Sequence, residues 1–261
     1  SMGADDNTSV TAVNLETARL LAGRPLPATI CFAFFTGEEA GLLGSREFVR
    51  AAKEKGWKIA ADINNDMIGW ADDHRLDDTI RFANAGLRDI QHAAAFLFSR
   101  LITYDTRYVM STDGQSFYDV YGDVVSGLGS YPVLGNPYYH QPTDLLETVN
   151  HQLLVEAAKY NIAAVMLVAS SPAPPKDIRI GLAKDGTVDV AWAPSPEKRV
   201  RSYVVEFVAA PQAARLTAGP PQIQVKLAAL KKGDIVDVAI KAVTEFGIES
   251  WDWGRARAIM K

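Results

Sequence analysis

The rhythm of hydrophobic and polar positions changes once along this chain. Over the first two thirds, helical and strand-like patterns alternate. Thr8 to Leu21 carries apolar residues at helical spacing, Thr29 to Phe35 is an unbroken apolar run that predicts a buried strand, and Ser45 to Lys55 predicts a helix closed by Gly56. Ile59 to Ile68 predicts a second buried strand, with Asp66 where its apolar stretch gives out. Asp89 to Ile102 and Asn150 to Ala169 predict helices, the second capped by Asn150, with a short strand at Val124 to Leu128 between them. Alternating strands and helices imply an α/β domain, a largely parallel sheet flanked by helices. Its polar loops at the carboxyl ends of strands are the first places to look for chemistry.

The last third reads differently. Period-two runs at Thr187 to Trp192, Ser202 to Val208, Gln222 to Leu227 and Ile235 to Val243, separated by Gly, Pro and Lys, predict an all-β sandwich. Ser170-Ser171-Pro172-Ala173-Pro174-Pro175 ends the preceding helix and makes a short stiff linker. The expected organisation is an α/β domain over 1–169, a linker over 170–175 and a sandwich over 176–261.

Composition narrows the picture. A chain of 261 residues, 48% hydrophobic and 22% charged, is large enough for two globular cores. With 27 basic against 31 acidic residues there is no cationic footprint for nucleic acid or an anionic membrane. No run reaches the roughly 20 apolar residues of a membrane helix, so no span is expected. The single cysteine, Cys31, has no partner for an intrachain disulfide and sits in an apolar run, where a small buried hydrophobe is expected. No signal peptide opens the chain, and Ser1-Met2 reads as a cloning remnant.

Four polar features are candidates for chemistry. Gly37-Glu38-Glu39 follows an apolar run directly, so one carboxylate can hold a cation and its neighbour a water, although taken alone a loop Glu pair is more often a solvated surface feature. Asp5-Asp6-Asn7 precedes a helix and reads as a cap or as a ligand. Asp66 reads as a turn former, yet it follows a mostly apolar run, where an unpaired carboxylate is costly and a cation removes the penalty. His140 lies in Gly135-Asn136-Pro137-Tyr138-Tyr139-His140-Gln141-Pro142; in isolation it reads as a surface-loop histidine, yet the loop is stiff and suited to fixing a ring nitrogen on a metal. His92 and His151 fall on helices and His74 in a charged loop, so these three are read as structural or solvated.

Taken in order, Gly-Ala-Asp-Asp-Asn, Phe-Phe-Thr-Gly-Glu-Glu-Ala-Gly-Leu-Leu-Gly-Ser, Asn-Asp-Met-Ile-Gly, Ser-Thr-Asp-Gly-Gln-Ser-Phe and Asn-Pro-Tyr-Tyr-His-Gln-Pro-Thr-Asp resemble the M28 zinc aminopeptidases, over roughly residues 3 to 169. That resemblance implies a zinc exopeptidase fold acting on peptides with a free N-terminus. It implies that Asp6 bridges two zinc ions, with a cis peptide bond to Asn7. Glu39 and His140 would complete one zinc site, and Asp66 would be a ligand of the other. Glu38 would be the general base for metal-activated water, Tyr139 would hydrogen-bond the oxyanion, and Asp113 and Asp144 would support the ligands.

The family also supplies a histidine ligand upstream of this first motif, and none stands in the five residues before Asp6. The expectation is therefore a piece of a longer protein, with one zinc or none bound, impaired activity, and an unpaired sheet edge that invites self-association. The C-terminal third resembles fibronectin type III domains through Trp192, Tyr203, Leu230-Lys231-Lys232-Gly233, Ile240 to Val243, Gly247 and Ser250, with Val236 where that pattern has a tyrosine. Two alternatives stand beside the peptidase reading. Glutaminyl cyclases are similar in fold and use one zinc held by Asp, Glu and His. The other is a non-catalytic binding module, with Trp251 and Trp253 forming an aromatic patch or covering a sandwich edge. The resemblance and the appended sandwich imply a secreted or periplasmic bacterial protein.

Overall fold

A computed structural model describes residues 2–72 and 74–261. The chain forms two compact units, Ser1–Ser170 and Ser171–Lys261. In the first, an irregular turn over Ala4–Ser9 leads into α1 (Val10–Leu21), which buries Val10, Val13, Thr17 and Leu21 along one stripe. Next come α2 (Leu43–Glu54), β1 (Asp62–Ile63), β2 (Asp66–Ala71), β3 (Asp77–Phe82) and α3 (Ala85–Phe98). They are followed by β4 (Ile102–Thr106), α4 (Asp113–Tyr121), β5 (Val125–Tyr131) and α5 (His151–Ser170). Strand β5 is the spine of the sheet. Its first half pairs parallel with β1 and its second half parallel with β2, while its other edge pairs antiparallel with β3, which carries β4 parallel outside it. The sheet is thus mixed but mostly parallel, as the alternating pattern predicts.

Helix α5 starts where expected. Asn150 Oδ1 accepts the N–H groups of Gln152 and Leu153 at 3.1 and 3.0 Å. Contrary to the count of apolar residues in the sequence, α5 is long and apolar enough to cross a membrane by length and composition. It is nonetheless a core helix. Leu153, Ala157, Tyr160 and Ala164 pack with Ile68, Ile80 and Leu128 of the sheet, and its buried Glu156 pairs with Arg100 and Lys159. Helix α3 begins four residues before its predicted start because Asn84 caps it, its Oδ1 accepting Leu87 N–H at 3.1 Å.

Two strand expectations change. Ile59 to Ile68 is broken into β1 and β2 by Asn64 and Asn65. Here Asn65 Oδ1 takes the N–H of Leu128 at 2.9 Å, a side chain standing in for a ladder carbonyl, and Met67 adopts φ 59°. Asp66 consequently opens β2 rather than closing a strand. Thr29–Phe35 is not a strand at all: among the described residues no neighbouring chain pairs with it, and a strand is made by ladder hydrogen bonds rather than by apolar content. Only part of this run packs inward, Phe35 lying against Phe48 and Phe117 at centroid distances of 5.4 and 6.2 Å. With the chain around Ile59–Asn65 it walls a cavity of about 320 Å³. Cys31, expected buried, is exposed.

The second unit is all β. A three-stranded sheet of β6 (Arg179–Leu182), β7 (Thr187–Ala191) and β10 (Gln222–Lys226) faces a four-stranded one. The latter orders β12 (Gly254–Ile259), β11 (Ile235–Thr244), β8 (Val200–Ala209) and β9 (Gln212–Ala218). Their inner faces share one core around Trp192, Tyr203, Phe207, Val236 and Ile240, with Trp192 edge-on to Tyr203 at 5.1 Å. The rings of Trp251 and Trp253 are both half-buried, and Trp253 lies under Lys241 Nζ at 5.0 Å.

The exposure of Cys31 has a direct test. In buffer without denaturant, a colorimetric thiol reagent reacts with one equivalent per chain at a rate within about tenfold of that in denaturant; a thiol that reacts only after unfolding would return Cys31 to the core.

Candidate metal centre

The turn before α1, the turn before α2 and the loop before α5 meet at one point. Asp144, fully buried, accepts Asp5 N–H on Oδ1 at 2.8 Å and Asp6 N–H on Oδ2 at 3.2 Å. Asp5 is also buried, and its carboxylate accepts Gly69 N–H at 2.7 Å and Asn136 Nδ2 at 2.8 Å. These contacts fix the backbone on either side of Asp6, whose peptide bond to Asn7 is cis, as the resemblance implies. Glu38 and Glu39 sit in a turn whose backbone is tied to α2: Gly41 and Leu42 donate to Glu38 O at 2.9 and 2.8 Å, and Gly44 donates to Thr36 O at 3.0 Å. A Cβ on Gly44 would lie 2.5 Å from Thr36 O, so only glycine lets the helix approach this turn.

His140 adopts φ 58°, a conformation a non-glycine residue rarely takes, and its ring stacks on Tyr139 at 3.8 Å. Its Nε2 lies 2.7 Å from Glu39 Oε1 and 3.5 Å from Asp6 Oδ2. One ligand atom from each of Asp6, Glu39 and His140 falls within 4.8 Å of the others. Leu42, Met67 and Ser111, each beside a site motif, share the positive φ of His140. Residues far apart in sequence are thus held in a conformation that the surroundings impose.

Charge crowding is the dominant electrostatic feature. Burial pushes the Asp6 carboxyl up to about 6, and the charges of Asp66 and Glu39 add to this against the opposing effect of His140. Glu38 is pushed from an ordinary 4.5 to about 7 by burial, then by Asp66, Glu39, Asp113 and Asp6. Burial raises Asp113 while a hydrogen bond from Ser45 opposes it, and deeper in, Asp62 is driven to about 8 by burial and by Asp113. The Tyr139 hydroxyl is pushed above its usual value by burial and by the charges of Glu39, Asp6, Asp66 and Glu38, so it is protonated and able to donate.

Asp66 is close enough to act on Asp6 and Glu38 electrostatically, but it stands outside the three-residue ligand group. Within the protein its carboxylate already has partners: Oδ1 accepts Asn7 Nδ2 at 2.9 Å and Oδ2 faces Arg81 Nη2 at 3.6 Å. Sequence reading passed over Arg81, Asn136 and the buried role of Asp5. A charged residue on the otherwise apolar Ile80–Phe82 stretch was the available signal for Arg81.

A carboxylate and imidazole cluster on the rim of a mixed α/β sheet, with an uncommitted glutamate beside it, places the chain in the class of α/β proteins with a site of metal-binding type. Residues 1–165 match the sequence profile of peptidase family M28, and the chain belongs to that family. It is 29% identical over 185 residues to "Aminopeptidase YwaD" of Bacillus subtilis (strain 168), covering 69% of this chain and 40% of that one. It is 46% identical over 67 residues to a "Probable zinc metalloprotease" of Pyrenophora teres f. teres, covering 26% of this chain and 14% of that one. The crystal structure of Legionella pneumophila LapA aminopeptidase shares the fold, with a TM-score of 0.61 at 20% identity over 65% of this chain and 47% of that one. The chain spans less than half the length of each of these proteins.

The raised carboxyl pKa values set a sign for pH dependence. Without metal, the fold keeps protons on Glu38 and Asp6 that the unfolded chain has already released, so stability falls as pH rises from the ordinary carboxylate range through about 7. Urea unfolding of chelator-treated protein is therefore expected to show a higher midpoint at pH 5 than at pH 7.5. Glu38→Gln flattens that decline; an unchanged slope would show that Glu38 does not titrate there.

Proposed function

We propose that the first unit is a zinc-dependent aminopeptidase domain that removes N-terminal residues from peptides. The observation that carries this is the meeting of Asp6, Glu39 and His140 ligand atoms within 4.8 Å, beside a glutamate poised to exchange a proton near neutrality. One imidazole nitrogen and several carboxylate oxygens aimed at a common point suit zinc, and a cation relieves the repulsion that adds to burial in raising Asp6. Asp6, Glu39 and His140 would hold it. When bound, the ion supplies Lewis-acid polarisation of the scissile carbonyl and makes water acidic enough to yield a proton near neutral pH.

The chain's own groups carry the proton movements. Glu38, left free of the ligand set, accepts the proton of the attacking water and passes it to the departing amine, and a carboxyl near 7 suits both transfers. The protonated Tyr139 hydroxyl donates to the oxygen on which charge develops. Asp144 holds Asp6 through its backbone, and Asp113 adds to the field that raises Glu38. The excess of carboxylates draws in the positively charged α-amine of a peptide, which favours N-terminal trimming over internal cleavage. The role of Asp66 as ligand of a second ion has less support, since it stands outside the three-residue ligand group.

The second unit reads as a fibronectin type III-like spacer, supported by its three-plus-four strand arrangement and the Trp192–Tyr203 core. Lys241 lies over the Trp253 ring, which argues against a free aromatic platform for a polymer.

The test is to incubate the zinc-loaded chain with a chromogenic leucine amide, its N-acetylated form and an N-terminal glutaminyl peptide. Turnover of the first alone supports the proposal. Release of pyroglutamyl product would make the chain a cyclase, and no turnover of any would favour a binding module. Glu38→Gln is expected to lower kcat by about 10²- to 10⁴-fold while zinc still binds. His140→Ala is expected to abolish the zinc isotherm in calorimetry.

A further inference from the structure

Strand β2 is in register with β5 at Asp66 and at Ala71, with a break between them. Across that break, three consecutive N–H groups are taken by side chains of the turn before α1. Met67 donates to Asn7 Oδ1 at 3.2 Å, Ile68 to Ser9 Oγ at 3.3 Å and Gly69 to Asp5 Oδ1 at 2.7 Å. Each bond satisfies a backbone donor that would be costly to leave unpaired. Asn7 differs from the other two because its second end touches the site. Asp6 and Asn7 have non-helical backbone, at φ −106°, ψ 88° and φ −134°, ψ 35°. From there the Asn7 carboxamide places Nδ2 on Asp66 Oδ1 at 2.9 Å while its Oδ1 takes the Met67 N–H. A carboxylate only accepts and an N–H only donates, so one orientation of the amide serves both partners. Met67 holds φ 59°, so this grip closes on a strained residue. From the far side, Arg81 passes over Gly129, where a Cβ would lie 2.3 Å from its Nη2, and donates to Asp66 O at 2.6 Å. Arg81 thus holds the Asp66 backbone and Asn7 its carboxylate. One hydrogen bond leaves Asp66 with acceptor capacity to spare, since a carboxylate has about four acceptor sites. Its charge is also the largest acting on both Asp6 and Glu38.

We propose that Asn7 is a positioning residue of the metal centre, its carboxamide fixing the Asp66 carboxylate relative to Asp6 so that both act on an ion held beside them. The proposal rests on the reading of Asp6, Glu39 and His140 as zinc ligands. Asp6 and Asn7 are neighbours on one turn, so a single side chain sets the relation between two carboxylates 60 positions apart. Without that grip, the guanidinium 3.6 Å from Oδ2 is the charged partner left to Asp66, and the carboxylate rotates towards it.

Calorimetric zinc titration of this chain and its variants tests the role. Asn7→Ala is expected to weaken zinc binding by at least about tenfold. Because Asn7 acts through Asp66, the Asn7→Ala, Asp66→Ala double variant should bind within about threefold of Asp66→Ala alone. Ser9→Ala breaks the neighbouring bond from the same turn to β2 and touches no site carboxylate. It should lower the urea midpoint yet change the zinc Kd by less than about threefold, which a merely structural role for Asn7 would not produce. A smaller loss in Asn7→Ala, a further loss in the double variant beyond that of Asp66→Ala, or a zinc defect in Ser9→Ala beyond threefold would overturn the proposal. Circular dichroism of each variant checks folding. Where Asn7→Ala does not fold, Asn7→Ser, polar but too short to span both partners, takes its place with the same expected loss. Where Asp66→Ala leaves no measurable isotherm or Ser9→Ala does not fold, the other comparison decides. Zinc binding that is lost in His140→Ala but accompanied by any of the overturning results leaves the zinc centre standing and removes only the role of Asn7. Absence of zinc binding to the unmodified chain overturns both.

Discussion

The buried carboxylate of Asp144 holds the first unit's chemistry in place. By accepting the N–H groups of Asp5 and Asp6, it ties the N-terminal turn to the loop that runs into α5. Asp5, locked by that bond, extends its own carboxylate to Gly69 in β2 and Asn136 in the histidine loop. Three segments thereby acquire a common origin, and Asp6 projects from it towards Glu39 and His140. Charged groups are expensive to bury unless hydrogen-bonded, so this arrangement persists because each buried oxygen has a donor aimed at it.

Around that anchor the protein accumulates negative charge rather than dispersing it. Beside burial, the charges of neighbouring carboxylates raise the proton affinity of Asp6, Glu38 and Asp66, while His140 opposes this at Asp6 and Arg81 at Asp66. Such a concentration is costly to folding and useful to catalysis. It creates demand for a cation and leaves one carboxyl group titrating near neutrality. On the proposed reading the adjacent glutamates divide the labour, Glu39 within the ligand group and Glu38 free to handle protons.

Much of this was legible in the chain. The alternating patterns gave the α/β unit because periodicity reports which face is buried, and Asn150 marked a helix start because its side chain has a local backbone task. The period-two strands of the second unit were equally plain. What escaped depended on pairing across long sequence distances. The apolar run containing Cys31 looked like a strand, yet apolar content does not supply a hydrogen-bonding neighbour. Asn65 interrupted a strand by lending its side chain to the ladder, and Asp66 found Arg81 only through the space left by Gly129. The ligand candidates Asp6, Glu39 and His140 were recognisable by motif, whereas the buried roles of Asp5 and Asn136 came from geometry.

The contact between His140 and Glu39 spans 101 positions, and that between Asp144 and Asp5 spans 139. Closing loops of that size is entropically unfavourable until the surrounding core has condensed. The meeting of the candidate ligands is consequently a late event in the folding of this polypeptide, and on the proposed reading an ion bound at this centre certifies that the distant ends of the unit have docked.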